Sequence, residues 1–217
     1  MINFDGIVFD LDGVLTETST AHFYAWKELA NEIGFDIPLE AIDKIRGIPR
    51  MEALDIILRY NNKDDNFDFK YKEKLANRKN QIYLNKISNY NRTNLNEGVI
   101  ELFNFLKDHN KKIALASSSH NAKYLLKALE IEEYFDAVVD PRTIKKGKPA
   151  PDIFLKACKL LKISPKKCIG VEDSQAGIEA IIKAGLTPIG IGNHIQCEIK
   201  FNTVKEFYEY LLKHSID

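Results

Sequence analysis

Short apolar runs rich in Ile and Val recur along this sequence of 217 residues, and each run ends in polar residues. Such runs are typical of buried strands. Between them lie segments in which apolar residues are spaced by three or four, which indicates amphipathic helices. Alternating strands and helices predict an α/β fold with a doubly wound, Rossmann-like parallel sheet covered by helices on both faces. The predicted strands are residues 7–9, 113–116, 137–139, 169–171 and 188–191.

Residues 16–92 depart from this alternation, because they contain several helical patterns and no convincing strand. The longest pattern covers residues 69–87 and has Tyr71, Leu75 and Ile82 as its apolar side. The sequence therefore predicts two domains. An α/β core comprises residues 1–15 and 93–217, and residues 16–92 form an inserted, all-helical cap domain.

The amino-acid composition argues against several classes of binding partner and site. Lys and Arg together number 31, as do Asp and Glu, so there is no global basic field to hold a nucleic acid or an anionic membrane. The three cysteines form no Cys-x-x-Cys pair, which argues against a disulfide framework and a zinc site. No segment approaches the roughly 20 apolar residues of a membrane span, and the acidic start is unlike a signal peptide. We expect a cytoplasmic monomer that acts on a small molecule.

Polar side chains follow four of the predicted strands. In a doubly wound sheet, ligands bind beyond the carboxyl ends of the strands, so these side chains should converge on one edge. They are Asp10 and Asp12, Ser117–Ser119, Asp140, and Glu172 with Asp173.

Several carboxylates at one edge repel one another and lose hydration, which a cation offsets. Mg²⁺ suits such a pocket because it prefers oxygen ligands. Lys148, in a Pro-rich segment before a predicted helix, adds a positive charge. Carboxylates, a magnesium ion and a lysine together favour phosphoryl transfer, in which charge neutralisation and positioning dominate catalysis.

The pair Asp10-x-Asp12 provides one carboxyl group for each of two chemical roles. Alternate residues of an extended segment share a face, so both carboxyl groups can reach one phosphate. Attack by Asp10 on phosphorus would form an acyl phosphate. Asp12 would then protonate the leaving oxygen and later deprotonate the next acceptor.

These residues resemble the four dispersed motifs of the haloacid dehalogenase superfamily, in the family's order. Asp10 to Leu15 resembles the first motif, Ser117 the second, Lys148 the third, and Glu172-Asp173 the fourth. The resemblance spans the whole chain. It implies a magnesium-dependent phosphotransferase with a Rossmann-like core and a helical cap.

Within the superfamily the chain is most similar to the β-phosphoglucomutases, a family of sugar phosphomutases. That resemblance implies interconversion of β-glucose 1-phosphate and glucose 6-phosphate, with glucose 1,6-bisphosphate as an activating intermediate and a phosphorylated aspartate on the enzyme. It also implies one Mg²⁺ per chain, with Asp10 and Asp173 as direct ligands. Asp12 would contribute its backbone carbonyl, and Glu172 would order the metal site.

The same resemblance implies the phosphate and substrate contacts. Ser117 and Lys148 would hold the transferring phosphate, and Arg50 would hold the other phosphate of the substrate. His120 stands where these mutases usually carry Lys, and Pro49 and Ala53 replace small hydroxyl residues, changes that bear on the sugar preference. The remaining implied substrate contacts are Asp12, His22, Gly47, Ile48, Ser118, Ser119, His120 and Asn121.

Other interpretations stay open at the level of sequence. A phosphatase of the same fold would share the phosphoaspartate and differ in using water as the acceptor. A catalytically silent phosphosugar-binding regulator would keep the fold without turnover. Structural roles are also available for single residues: helix capping for Ser117 and Ser174, a solvated position for Lys148, surface ion pairs for Arg50 and Lys79, and cap core for Trp26.

Overall fold

The computed structural model describes residues 3–37, 45, 48–61 and 67–214. The chain divides into two compact units. The first comprises the residues up to Glu17 together with those from Tyr90 onward, and the second comprises Thr18–Asn89.

A six-stranded parallel sheet forms the centre of the first unit, in the order β3-β2-β1-β4-β5-β6. This confirms the predicted doubly wound sheet. The sequence did not reveal β6, because it has only two residues and its first side chain is exposed. The strands are β1 (Gly6–Phe9), β2 (Lys112–Leu115), β3 (Ala137–Val138), β4 (Cys168–Glu172), β5 (Thr187–Ile191) and β6 (Lys200–Phe201).

Helices cover both faces of the sheet, as predicted. Neighbouring residues of a strand point to opposite faces. Val8 packs in a buried cluster with Phe154 and Ile178, whereas the ring of Phe9 lies 5.4 Å from that of Phe103. The helices of this unit are α4 (Val99–Asp108), α5 (Ala122–Ala128), α6 (Asp152–Leu161), α7 (Gln175–Ala184) and α8 (Val204–Lys213).

Helix α7 lies unusually close to β4. A Cβ atom at Gly170 would stand 2.6 Å from Cγ1 of Ile181, so glycine is required for this approach. Ile178 and Ile181 are fully buried, and each contributes roughly 1.5–3 kcal/mol to the hydrophobic stabilisation. The N-terminus of α7 is thereby fixed directly after the carboxyl end of β4.

The turn after β1 is bound to the segment that enters α4. Gly13 adopts a left-handed conformation with φ +82°. The Asn96 side chain donates to the Val14 carbonyl at 2.8 Å, and Thr16 Oγ1 donates to the Asn94 carbonyl at 2.7 Å. These bonds hold the loop that follows Asp10.

The second unit contains the helices α1 (Ser19–Glu32), α2 (Arg50–Tyr60) and α3 (Phe69–Lys86). The predicted helix over 69–87 is therefore confirmed. Asp68 caps α3 by accepting from the Tyr71 amide at 2.7 Å. Leu75 and Ile82 are buried as predicted, but Tyr71 is 40% exposed and stacks on Phe67 instead.

None of the helices described is long and apolar enough to cross a membrane. All three cysteines are free thiols, of which Cys158 and Cys168 are buried and Cys197 is half-buried.

Candidate functional site

Four of the polar residues predicted from the sequence are buried at the carboxyl ends of three adjacent strands, β2, β1 and β4. Asp10 follows β1, Ser117 lies two residues beyond β2, Glu172 is the last residue of β4, and Asp173 follows it. The structure therefore brings these four sequence-predicted residues to one edge of the sheet.

Asp10, Glu172 and Asp173 form an acidic cluster. Each offers a carboxylate oxygen, and these oxygens lie within 4.8 Å of one another. Lys148 is 1% exposed and reaches into the cluster from the loop before α6. Its Nζ donates to Asp10 Oδ1 at 2.6 Å and to Glu172 Oε2 at 2.7 Å. The interpretation of Lys148 as a solvated lysine is therefore wrong.

Burial and charge shift the protonation equilibria of this cluster. Burial raises the pKa of Asp10 well above its ordinary value, and the neighbouring Glu172 carboxylate raises it further. Burial alone would lower the pKa of Lys148, but the carboxylates of Asp10 and Glu172 outweigh it and hold that pKa above the ordinary value. Lys148 therefore remains an ammonium group in this buried position.

The donor set of the acidic cluster fits a divalent metal ion. The cluster has three carboxylates and a single ammonium group, which pairs with Asp10 and Glu172, so Lys148 cannot balance three negative charges. Buried carboxylates without compensation are costly, and a divalent cation with oxygen preference removes that cost. Among the described residues, Asp10, Glu172 and Asp173 are the group that could hold such an ion.

Two glycines lie where carboxylates of the acidic cluster approach the backbone. A Cβ atom at Gly13 would stand 2.0 Å from Asp173 Oδ2, and one at Gly177 would stand 2.0 Å from Glu172 Oε2. Any side chain at these positions would displace the acidic cluster. Sequence reasoning did not single out Gly177. A glycine inside a helix costs about 1 kcal/mol relative to Ala, so its presence there can indicate that another group approaches the backbone closely.

Ser174 connects the acidic cluster to helix α7. Its Oγ accepts from the Gly177 amide at 3.1 Å, which confirms the predicted helix cap. The same hydroxyl donates to Glu172 Oε1 at 2.8 Å, and the amides of Asp173 and Ser174 also point at that oxygen, at 3.2 and 3.1 Å. One carboxylate oxygen of Glu172 is thus held by three donors, while the other faces Lys148.

Residues 117–121 form a loop between β2 and α5. Ser117 is buried, and its Oγ accepts from the Ser119 amide at 3.0 Å. Asn121 is the residue that precedes α5, so the alternative role of Ser117 as the cap of that helix is wrong. Ser118 and Ser119 are half-buried and His120 is exposed.

Asp140 does not join the acidic cluster, contrary to the sequence expectation. Its carboxylate accepts from the guanidinium of Arg142 at 2.7 Å and from the Arg142 amide at 3.0 Å. Hydrogen bonds from Arg142 lower the pKa of Asp140 to about 2. A short helix starts at Pro141, and the Asp140 side chain caps it by bonding to Arg142. An apolar run followed by Asp does not reveal such a turn.

Asp12 is half-buried, next to Gly13.

The second unit contains a close contact between Lys79 and His22. Lys79 is 2% exposed, so its interpretation as a surface ion-pair residue is wrong. Its Nζ lies 2.6 Å from His22 Nδ1, and 4.9 and 5.0 Å from the ring centroids of Trp26 and Tyr83. Trp26 is 3% exposed, which confirms its place in the core of this unit.

His22 is held in one tautomer. An ammonium group only donates, so Nδ1 of His22 accepts from Lys79 and the ring proton of the neutral form is on Nε2. The ring stacks on Tyr83 with centroids 3.9 Å apart. Burial lowers the pKa of His22 well below its ordinary value, and the charges of Lys79 and Arg50 lower it further.

The other predicted substrate contacts of this unit lie near the start of α2. Arg50 is the first residue of the helix, and its guanidinium donates to Asn80 Oδ1 of α3 at 2.8 Å. Ile48 is half-buried in the preceding turn. Gly47 lies outside the described residues.

We predict that Lys148→Met lowers the free energy of unfolding in metal-free buffer by about 3 kcal/mol, because Asp10 and Glu172 lose their buried counter-charge. Lys146→Met is the matched control, since Lys146 is an exposed lysine two residues earlier. Urea denaturation measures both. Equal unfolding midpoints for the two variants would contradict the role of Lys148 in stabilising the acidic cluster.

We predict that the second unit loses stability as pH falls below 6.5, the ordinary pKa of histidine. Below that pH His22 binds a proton in the unfolded chain but stays neutral in the folded one. The free energy of unfolding therefore falls by up to about 1.4 kcal/mol per pH unit. Trp26, the single tryptophan of the chain, reports this unit by fluorescence. His22→Gln should flatten the dependence between pH 7 and pH 5, and the exposed His109→Gln should not. An unchanged slope in His22→Gln would show that His22 is not buried in its neutral form.

Comparison with known proteins agrees with this geometry. Residues 4–185 match the family of haloacid dehalogenase-like hydrolases. Over 186 residues the chain is 42% identical to a β-phosphoglucomutase of Bacillus subtilis, covering 86% of this chain and 82% of that protein. It is 31% identical to a phosphorylated carbohydrates phosphatase of Thermotoga maritima, covering 85% and 83%.

A solved structure resembles this fold along nearly its whole length. The crystal structure of a β-phosphoglucomutase from Clostridium difficile superposes with a TM-score of 0.93 at 36% identity, covering 97% of this chain and 96% of that one. The family match spans most of the sequence and includes Asp10, Lys148 and Asp173. This chain therefore belongs to the haloacid dehalogenase-like hydrolase family.

Proposed function

We propose that this chain is a phosphomutase that interconverts β-D-glucose 1-phosphate and D-glucose 6-phosphate. One observation carries the proposal: a buried Asp10 carboxylate at the end of β1 is hydrogen-bonded to the buried Lys148 within an acidic cluster. The identity of 42% with the Bacillus subtilis β-phosphoglucomutase favours mutase chemistry over other reactions of the family.

Asp10 is the proposed nucleophile. One of its carboxylate oxygens bonds to phosphorus, the bond between phosphorus and the sugar oxygen breaks, and Asp12 gives a proton to that oxygen. In the second half, Asp12 takes the proton from the acceptor hydroxyl, which attacks phosphorus and releases the Asp10 carboxylate. Lys148, whose Nζ lies 2.6 Å from Asp10 Oδ1, would neutralise charge on the transferring group, and the Ser117 hydroxyl would donate a hydrogen bond to it.

The acidic cluster is the proposed magnesium site, with one Mg²⁺ per chain. Asp10 and Asp173 would be direct ligands, Asp12 would offer its backbone carbonyl, and Glu172 would order the site from its bonds to Lys148 and Ser174. Bound Mg²⁺ would neutralise negative charge on the phosphoryl oxygens.

A mutase must hold a bisphosphate while the sugar turns around, so glucose 1,6-bisphosphate is the proposed activating intermediate. Arg50 offers a planar guanidinium for the second phosphate, and its bond to Asn80 fixes its orientation. Residues 16–92 are the proposed cap domain and 1–15 with 93–217 the proposed core. Further proposed substrate contacts are Asp12, His22, Gly47, Ile48, Ser118, Ser119, His120 and Asn121. We further propose that the enzyme acts as a cytoplasmic monomer.

The direct test incubates the pure protein with Mg²⁺, β-glucose 1-phosphate and a trace of glucose 1,6-bisphosphate. We expect glucose 6-phosphate to form with negligible free phosphate. Asp10→Asn should lower turnover at least about 10⁴-fold, as loss of a nucleophile does. Asp5→Asn is the matched control, because Asp5 is an exposed acid at the opposite end of the same strand. Unchanged turnover in Asp10→Asn would overturn the nucleophile assignment.

A sugar-phosphate phosphatase is the second candidate, and the 31% identity with the Thermotoga maritima phosphatase favours it. Both activities share the phosphorylated Asp10 and differ in the acceptor, which is water in a phosphatase. The same assay separates them, since release of free phosphate as the main product would replace the mutase by the phosphatase.

A further inference from the structure

The loop between β5 and β6 contacts the backbone of the acidic cluster through His194. The Nε2 atom of His194 lies 2.9 Å from the carbonyl oxygen of Asp173. A carbonyl oxygen only accepts, so Nε2 is the donor, and this holds for the Nε2–H tautomer and for the imidazolium alike. No sequence pattern indicates this contact, because His194 follows no motif and lies twenty-one residues after Asp173.

The peptide unit between Asp173 and Ser174 is consequently held at both ends. Its carbonyl accepts from His194, and its amide donates to Glu172 Oε1 at 3.1 Å. The preceding peptide unit is held as well, because the Asp173 amide donates to the same oxygen at 3.2 Å. Peptide units are planar, so fixing the two that flank Asp173 fixes both of its backbone dihedral angles. The direction of its Cα–Cβ bond is then set, which limits its carboxylate to the positions that its side-chain rotamers allow.

Contacts of the loop that carries His194 hold the imidazole ring in place. Ile195 is 2% exposed in the core of the first unit, and the Lys200 side chain donates to the Ile195 carbonyl at 3.2 Å. The Gln196 amide donates to Gln175 Oε1 at 3.2 Å, a second link to the start of α7. Gly192, with φ +108°, leaves the space that the ring occupies, since a Cβ atom there would stand 3.0 Å from it.

We infer that His194 is a positioning residue for the metal ligand Asp173, acting through the Asp173 backbone carbonyl. This inference rests on the proposed function, in which Asp173 binds the divalent ion. Mutation of a group that orients a metal ligand typically lowers metal affinity by roughly 10- to 100-fold. Loss of the His194 contact frees the Asp173–Ser174 peptide to rotate, and the carboxylate then samples positions away from Asp10.

The test measures binding of Mn²⁺, as a paramagnetic substitute for Mg²⁺, by electron paramagnetic resonance without substrate. We expect His194→Ala to raise the Mn²⁺ dissociation constant about tenfold. His194→Gln keeps a side-chain N–H donor and should recover most of the affinity. His109→Ala is the matched control: His109 Nδ1 lies 2.8 Å from the Phe105 carbonyl, the same kind of contact on an exposed helix end.

Thermal unfolding in metal-free buffer distinguishes positioning from general stability. We expect His194→Ala and His109→Ala to have similar midpoints while only His194→Ala binds Mn²⁺ more weakly. Equal dissociation constants for wild type and His194→Ala would overturn the positioning role and leave the proposed function intact. Absence of Mn²⁺ binding in the wild type would instead overturn the metal role of Asp173, and the inference with it.

Discussion

The burial of three carboxylates against one ammonium group is the interaction on which the rest of the structure depends. Asp10, Glu172 and Asp173 are at most 5% exposed, and Lys148 is 1% exposed. A buried charge without a partner costs several kcal/mol, so the sheet can bring these residues together only if every charge is balanced. Lys148 balances part of the cluster through Asp10 and Glu172, and the remaining negative charge is what makes a divalent cation favourable there.

The backbone around the acidic cluster shows how the fold meets that constraint. Gly13 and Gly177 remove side-chain volume at the two places where carboxylates approach the chain. Glu172 is held by the amides of Asp173 and Ser174 and by the Ser174 hydroxyl. These donors are set by the start of α7 and hold the Glu172 carboxylate in one orientation within the acidic cluster.

The sequence predicted those parts of the fold that depend on local patterns. The parallel sheet, the long helix α3 and the burial of Trp26 follow from apolar spacing, and each is confirmed. Strand β6 escaped detection because two residues, one of them exposed, carry no periodicity. Tyr71 was assigned to a buried side because spacing cannot distinguish packing on the core from stacking on Phe67.

The residues of the site divide in the same way, into those that a local sequence pattern predicts and those that it does not. The positions after β1 and β4 could be predicted, because all strands of a parallel sheet end on one edge. Asp140 could not be excluded, since its partner Arg142 acts through a turn that the apolar pattern does not encode. The contact between His194 and the Asp173 carbonyl and the burial of Lys79 depend on how distant segments pack. The residues proposed to carry out chemistry could be named from the sequence, whereas His194 and the burial of Lys79 required the structure.

The most direct measurement of the central claim is the free energy of unfolding with Mg²⁺ and with a chelator. If a divalent ion completes the acidic cluster, Mg²⁺ at a hundredfold excess over its dissociation constant should stabilise the folded protein by about 2.7 kcal/mol. Asp173→Asn should abolish most of that gain, because one carboxylate ligand is lost. A free energy of unfolding that is the same with Mg²⁺ and with chelator would contradict the account.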